Sequence, residues 1–326
     1  MDKASIADRL PFLQRRQYII NAIRAFFDAR GYLEVDTPYM VATPGEEVHL
    51  TPFATLYETP QGKEKRFFFH TSPEFAMKRI VAAIQRPIYQ LARVWRNREG
   101  GPTHLPEFTM LEWYRPHCNL QGLMDETENL LRVILPPIVE HQKGRIDISQ
   151  PFERLTLQQA FERYVGIDLL ETGNDAIQLS KAANYPLRPY ETWEDLFFRI
   201  LLEKIEPYIG LERPTFLTHW PVSQAALARR DPRDLRVALR FELYAAGLEL
   251  CNAFEELTDP KEQRSRFIED RKQRKKLYPE VEEWPMDEEL LEALHTMPPC
   301  SGIAMGLDRV VMLATRARHI EDILWI

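Results

Sequence analysis

Three sets of charged residues in this chain have types and spacings suited to chemistry. Glu242 and Glu249 fall on the two adjacent strands of an expected hairpin. Such a pair suits Mg²⁺, a hard cation that takes one or two carboxylates together with the oxygens of a nucleotide. Arg96 and Arg309 lie on elements able to converge on one ligand, and guanidinium forks are natural clamps for phosphate. Glu74, Glu112 and Glu256 are acidic without metal-like spacing. They suit an amine-bearing substrate, because a carboxylate facing a buried ammonium is paired rather than stranded. Taken singly, each set also fits solvent-facing strand glutamates or surface ion pairs.

The elements that must position these residues centre on Arg93 to Tyr114, RVWRNREGGPTHLPEFTMLEWY. It reads as the end of a strand (Ile88 to Trp95), a long polar loop, and a second strand (Glu107 to Tyr114). Alternation sends Phe108, Met110, Glu112 and Tyr114 to one face and Glu107, Thr109, Leu111 and Trp113 to the other. The loop carries Arg96, Arg98, Gly100, Gly101, Pro102 and His104. It is too long for a tight hairpin and rich in anion-binding groups, so it is expected to grip phosphate.

Elsewhere, helical spacing of Ile19, Ile20, Ile23, Phe26 and Phe27 predicts a helix over Phe12 to Arg30, closed by Gly31. Strands are expected at Tyr32 to Val35, at Phe53 to Tyr57 and at Arg66 to His70, the last two joined by a turn at Gly62. Thr71-Ser72-Pro73-Glu74 is a helix start with Ser72 as N-cap and Pro73 at the first helical position. A further helix spans Leu120 to Leu135. From about 140 to 210 the pattern is helical, at Thr156 to Tyr164 and Trp193 to Ile209, and predicts a helical insertion. A strand follows at Pro214 to Trp220. The Arg240 to Leu257 hairpin, turning at Ala245 to Gly247, carries Glu242, Glu249, Asn252, Glu255 and Glu256. Lys261 to Lys276 predicts a charged, solvated helix. Cys300 to Met305 is a short strand, and Asp308 to Thr315 a helix with Arg309 in its first turn.

The bulk numbers set limits. At 326 residues with net charge −7 there is no general basic excess of the kind that marks strong nucleic-acid binding. The three cysteines, Cys118, Cys251 and Cys300, form no CxxC pair and suggest neither a disulfide framework nor a thiolate metal site. There is no apolar leader and no run long enough to span a bilayer, so a cytoplasmic protein is expected.

Taken together, the first helix with Val35 to Pro38, then RVWRNREGGPTHLPEFTMLEWY, then GIAMGLDRVVML, resemble the three ordered motifs of the class II aminoacyl-tRNA synthetases, in their lysine branch. TSPEFAMKR, PEFTMLEWYRPH, LELCNAFEELTD and CSGIAMGLDR are closer still to the short lysyl-tRNA synthetase paralogues that attach β-lysine to a lysine of translation elongation factor P. The resemblance covers nearly the whole chain. It implies an α+β fold, a central antiparallel sheet flanked by helices, as one catalytic domain over residues 1–326 that dimerises with itself through the first motif. The motif begins about a dozen residues in, so no N-terminal anticodon-binding barrel is expected, and tRNA is a poor acceptor candidate beside a protein.

The resemblance further implies an ATP-dependent, AMP-forming ligase acting on lysine or (R)-β-lysine, with ATP and Mg²⁺ as cofactors. Arg96 would hold the α-phosphate, Phe108 and Arg309 would sandwich the adenine, and Asn97, Arg98, Glu249, Leu250 and Gly306 would complete the nucleotide contacts. Glu242 and Glu249 would hold the metal. Ser72, Pro73, Glu74, Glu112, Tyr114, Asn252, Glu256 and Ala304 would form the amino-acid pocket. Asn252 and Glu256 share a parity that Glu249 lacks, so the strand needs a bulge or strong twist to present all three. Three positions depart from the family pattern: Arg98 replaces a Glu, Leu105 an Asn, and Ala253 a Gly. Ala304, where lysyl-tRNA synthetases have Gly, is expected to reshape the wall near the α-substituent, in keeping with a β-amino acid. The rival readings are the same activation with a tRNA or small-amine acceptor, and a silent synthetase-like regulatory protein.

Overall fold

The structure, a computed structural model, describes residues 5–141, 144–225 and 227–325. The chain forms two compact units, Met1–Leu123 together with Glu256–Ile326, and Met124–Glu255.

The first unit opens with α1 (Ile6–Asp28), which starts six residues ahead of the expected Phe12 because Ser5 and Asp8 form a reciprocal capping box. Pro11 lies inside the helix. There follow β1 (Leu33–Glu34), β2 (Met40–Val41), β3 (Ala54–Glu58) and β4 (Glu64–Phe69), then α2 (Glu74–Ile84), β5 (Ile88–Trp95) and β6 (Glu107–Pro116). The strands β2, β4 and β3 make a small antiparallel sheet in that order. β1 pairs parallel with β5, and β5 pairs antiparallel with β6, Gln90 opposite Glu112 and Val94 opposite Phe108. The cap of α2 differs from the expectation by one residue. Pro73 is the N-cap and makes no side-chain cap bond, while Ser72 Oγ still accepts the Glu74 N–H at 3.1 Å.

The helix α3 (Leu120–Ile134) carries the chain into the second unit, where β7 (Ile138–His141) pairs antiparallel with β8 (Gly144–Asp147). β9 (Glu153–Thr156), α4 (Leu157–Val165), α5 (Ala176–Ala183) and α6 (Trp193–Ile200) follow, the last running on through a π turn at Leu201–Ile205 and a 3₁₀ turn at Glu206–Tyr208. The interval expected to be a helical insertion therefore also holds short strands. Phe161, Trp193 and Phe197 stack at 5.0 to 5.5 Å inside its apolar core. Then come β10 (Thr215–Pro221), β11 (Arg230–Asp231), β12 (Asp234–Ala245) and β13 (Leu248–Glu255). β9 pairs parallel with β10, and β10, β12 and β13 pair antiparallel in that order. Ala246 and Gly247, both at positive φ, make the tight turn between β12 and β13, and their primed geometry matches the strand twist.

The first unit resumes with α7 (Pro260–Leu277), α8 (Glu288–Ala293), β14 (Cys300–Gly306) and α9 (Leu307–Thr315). α7 is less solvated than its composition suggests, since Gln263, Phe267 and Arg274 are buried on one side. β14 pairs antiparallel with β6, placing Ala304 opposite Glu112 and Gly302 opposite Tyr114.

The two faces of β6 have different jobs, as its alternation predicts. On one, Trp113 packs with Phe27 of α1, which stacks on Tyr89 of β5 at 4.6 Å, and all three rings are buried. Burial of side chains this size contributes roughly 1.5–3 kcal/mol each. On the same face, Arg16 of α1 reaches Asp308 of α9 at 2.5 Å and Thr109 Oγ1 at 2.8 Å, while Asp308 accepts the Thr109 N–H at 2.9 Å. The other face carries Glu112 and Tyr114. All three cysteines are free thiols. Among the described residues no helix is long and apolar enough to cross a membrane.

Candidate active site

The Glu112 carboxylate is the centre of the first cluster. It is 1 % exposed, accepts Ser72 Oγ–H at 2.6 Å on one oxygen, and accepts the Tyr114 hydroxyl at 2.7 Å on the other. Burial, joined by the negative charge of Glu74, pushes its pKa up to about 8 against the pull of the two donors. Glu256 sits across the pocket, its pKa raised to about 7 by burial, with Lys78 opposing and Glu74 reinforcing the shift.

Lys78 of α2 closes this cluster and was not foreseen from the sequence. It is 2 % exposed, and its ammonium lies 2.6 Å from Glu74 Oε1 and 2.6 Å from Glu256 Oε2. Burial opposes its charge, but Glu256 and Glu74 outweigh that cost and raise its pKa. Lysine on an amphipathic helix usually snorkels. The signal available was Glu74 at i−4 on the face that also carries Val81 and Ala82.

Gly302 is the second unforeseen participant. A Cβ there would fall within contact distance of both the Tyr114 ring and Glu256 Oε1. Gly302→Ala should therefore displace Tyr114 and Glu256 and lower amino-acid-dependent activity at least tenfold, with a smaller loss of melting temperature. A crystal structure or an activity assay of the folded variant checks this.

The carboxyls give the pocket a definite pH response. A carboxyl whose folded pKa exceeds its unfolded value stabilises the fold at pH below the unfolded value and loses that contribution as pH rises through the folded one. For Glu112 and Glu256 the loss falls between about pH 5 and pH 9. A ligand bearing two ammonium groups should accordingly raise the melting temperature more at pH 8.5 than at pH 6, and scanning fluorimetry at both values tests it.

The second cluster in this unit involves the β5–β6 loop. The Arg96 guanidinium lies 5.2 Å from the centre of the Phe108 ring, within cation–π range, and 3.7 Å from Glu99. Phe108 packs on Ala92, Val94 and Met110, as does Ala304. Arg98, at φ +67°, points to Glu280 at 2.9 Å, so this departure from the family pattern is held by a partner far along the chain. The Asn97 side chain accepts the Arg98 N–H at 2.9 Å. Gly306 caps α9, and Arg309 in the first turn meets His104 of the loop. Pro73 caps α2 beside Ser72.

The second unit holds the Glu242–Glu249 pair. Glu242 is buried, receives the Tyr244 hydroxyl at 2.6 Å and pairs with Arg240 at 2.7 Å. Arg240 also donates to Asn252 at 3.1 Å and lies over the Trp220 ring at 4.2 Å. Burial first, and the charge of Glu249 second, raise the Glu242 pKa to about 7. The expected bulge is present. Leu243 faces Cys251 but Tyr244 faces Glu249, so Leu250 is the extra residue. Glu242 is opposite Asn252 and Tyr244 opposite Glu249, so the bulge turns Glu249 onto the face of Glu242 and Asn252. Mutual repulsion between two carboxylates on one face is what a hard cation relieves, so the residues fit Mg²⁺. Arg240 and Tyr244 are further unforeseen neighbours of this pair.

An antiparallel sheet carrying arginines at a strand–loop–strand and at the strand–helix that follows is the arrangement of one class of enzyme. Residues 7–325 match the family model for tRNA synthetases class II (D, K and N), and the chain belongs to that family. Within it the chain is similar to elongation factor P–(R)-beta-lysine ligases. It is 43% identical over 322 residues to that of Salmonella arizonae, spanning 97% of this chain and 94% of the relative. It is 42% identical over 327 residues to that of Proteus mirabilis (98% and 95%) and 43% identical over 319 residues to that of Hamiltonella defensa (96% and 93%).

Proposed function

We propose that this chain is an ATP-dependent, AMP-forming ligase that activates lysine or (R)-β-lysine and transfers it to a lysine side chain of elongation factor P. The similarity to the elongation factor P–(R)-beta-lysine ligases over nearly the whole chain supports it. The single structural observation that carries it is the buried cluster of Glu74, Glu112 and Glu256 around one strand face, an environment for a substrate rich in ammonium groups.

In the first step the substrate carboxylate attacks the α-phosphorus of ATP, forming the aminoacyl-adenylate and expelling pyrophosphate. Arg96 steadies charge on the α-phosphate, and Phe108 and Arg309 hold the adenine between them. Asn97, Arg98, Leu250 and Gly306 are the remaining nucleotide contacts we assign. Glu242 and Glu249 are the residues that would hold Mg²⁺, whose chemistry when bound is neutralisation of phosphate charge. Ser72, Pro73, Glu74, Glu112, Tyr114, Asn252, Glu256 and Ala304 orient the amino acid. In the second step the acceptor ε-amine attacks the activated carbonyl and AMP leaves. No enzyme nucleophile is needed. The working form we propose is a cytoplasmic homodimer formed through α1, with a protein rather than a tRNA as acceptor.

Pyrophosphate exchange over a panel of amino acids tests the activation step. Lysine or (R)-β-lysine should support exchange, and norleucine, which lacks the distal amine, should be poorer by about 10⁴-fold because it leaves buried carboxylates unpaired. Exchange with no amino acid would point to a silent protein. The KM for the diamino acid should fall as pH rises from 6 to 8.5. Glu112, with its pKa near 8, must give up a proton before it can receive an ammonium group.

A further inference from the structure

We infer that Lys78 is a positioning residue that sets the charge count of the amino-acid pocket. Held between Glu74 and Glu256 at 2.6 Å from each, it cancels one of three carboxylate charges and leaves the two that a diammonium substrate requires. The inference rests on the proposed function and says how the site selects a diamino acid.

The geometry allows Lys78 little other role. Its Nζ is sealed in the cluster at 2 % exposure, so it is not a surface residue awaiting an acceptor or a phosphate. The two carboxylates it joins come from distant parts of the chain, the start of α2 and the residue after β13, and Glu256 is also anchored by its backbone N–H to the Cys300 carbonyl at 2.9 Å. One buried ammonium therefore fixes where both carboxylates stand. Glu256 Oε1, the oxygen turned toward Gly302 and Tyr114, accepts no hydrogen bond among the described residues.

The charged and titratable neighbours leave the count intact. Tyr114 is neutral, its pKa raised well above the ordinary value by burial and by Glu112. Cys300, near Glu256 and Lys78, is a neutral thiol for the same reason of burial. Glu47, which approaches Glu74, is pushed toward its protonated form by burial and is faced by Arg96 and Arg274. Once a diammonium substrate holds Glu112 and Glu256 ionised, three carboxylates against one ammonium leave two negative charges, matching lysine or β-lysine and exceeding what a monoamino acid can satisfy. An unmatched carboxylate in such a site takes up a proton instead.

The test uses Lys78→Met, close in length and free of charge, with Lys78→Arg as the conservative variant. In pyrophosphate exchange, Lys78→Met should lose at least tenfold in kcat/KM for the diamino acid. The acidic limb of its pH profile should move to higher pH, because Glu256, whose raised pKa Lys78 holds down, ionises less readily without that cation. Lys78→Arg should restore the position of that limb more than the rate. A purely structural lysine would lower the yield of folded enzyme with no movement of the profile. Thermal melting of the ligand-free protein gives an independent reading between pH 6 and 9. The melting temperature of Lys78→Met should fall more steeply with rising pH than that of the wild type. A folded Lys78→Met with unchanged kcat/KM and an unmoved profile, or with a melting curve parallel to the wild type, overturns the inference. Failure of the wild type to exchange with either diamino acid overturns the proposed function instead, and the melting comparison still decides the role of Lys78.

Discussion

Replacing Arg309 by alanine should reduce pyrophosphate exchange by about a thousandfold while the protein stays folded. Arg309 is in the first turn of α9, partly exposed, and meets His104 of the β5–β6 loop. Its neighbours Asp308 and Val310 are the buried ones, so the helix keeps its packing when the guanidinium is removed. In the proposed role of nucleotide clamp, the Arg309 guanidinium contributes to turnover far more than to stability. Lys at this position should restore a minor part of the rate, since it keeps the charge but loses the planar fork. Near-normal exchange by Arg309→Ala would remove this residue from the proposed chemistry.

The adjacent residue gives the largest expected effect on stability. Asp308→Ala should cost about 3–5 kcal/mol, because it strands the Arg16 guanidinium in the interior and leaves the Thr109 N–H without its acceptor. The pair lies between α1, α9 and β6, with side-chain exposures of 7% for Arg16 and 2% for Asp308. The double variant Arg16→Met with Asp308→Leu should recover most of that loss, since two apolar side chains carry no stranded charge. Equilibrium denaturation of wild type, single and double variants measures both numbers. A single variant within 1 kcal/mol of wild type would show that the buried pair is not what joins these three elements.

Much of the geometry around the candidate site was legible because its signals are local. Period-two alternation in Glu107 to Tyr114 placed Phe108, Glu112 and Tyr114 on one face, and the structure has Glu112 hydrogen-bonded to Tyr114 on the face opposite Trp113. The same alternation required a distortion between Glu249 and Asn252, and Leu250 is the bulged residue. Its exact place was not readable, since a bulge depends on the partner strand as much as on its own. Lys78 was missed because its partner Glu256 is 178 positions away, and only the i−4 half of the triad is written locally. Arg98 is similar, its partner Glu280 lying beyond any window. The strands β7 to β9 escaped the helical reading of 140–210 because four polar-rich residues each give too short a pattern to tell from a turn. The cap of α2 slipped by one because Ser72 spends its hydroxyl proton on Glu112, in the pocket, while its oxygen still serves the helix.

Transfer to the acceptor separates a protein-modifying ligase from a tRNA-charging enzyme. Purified protein is incubated with ATP, Mg²⁺ and lysine or (R)-β-lysine, together with elongation factor P or with tRNA, and the intact mass of each acceptor is measured. Elongation factor P should gain one aminoacyl group, the gain should disappear when its acceptor lysine is replaced, and tRNA should stay uncharged. Charged tRNA beside unmodified elongation factor P would contradict the proposed function.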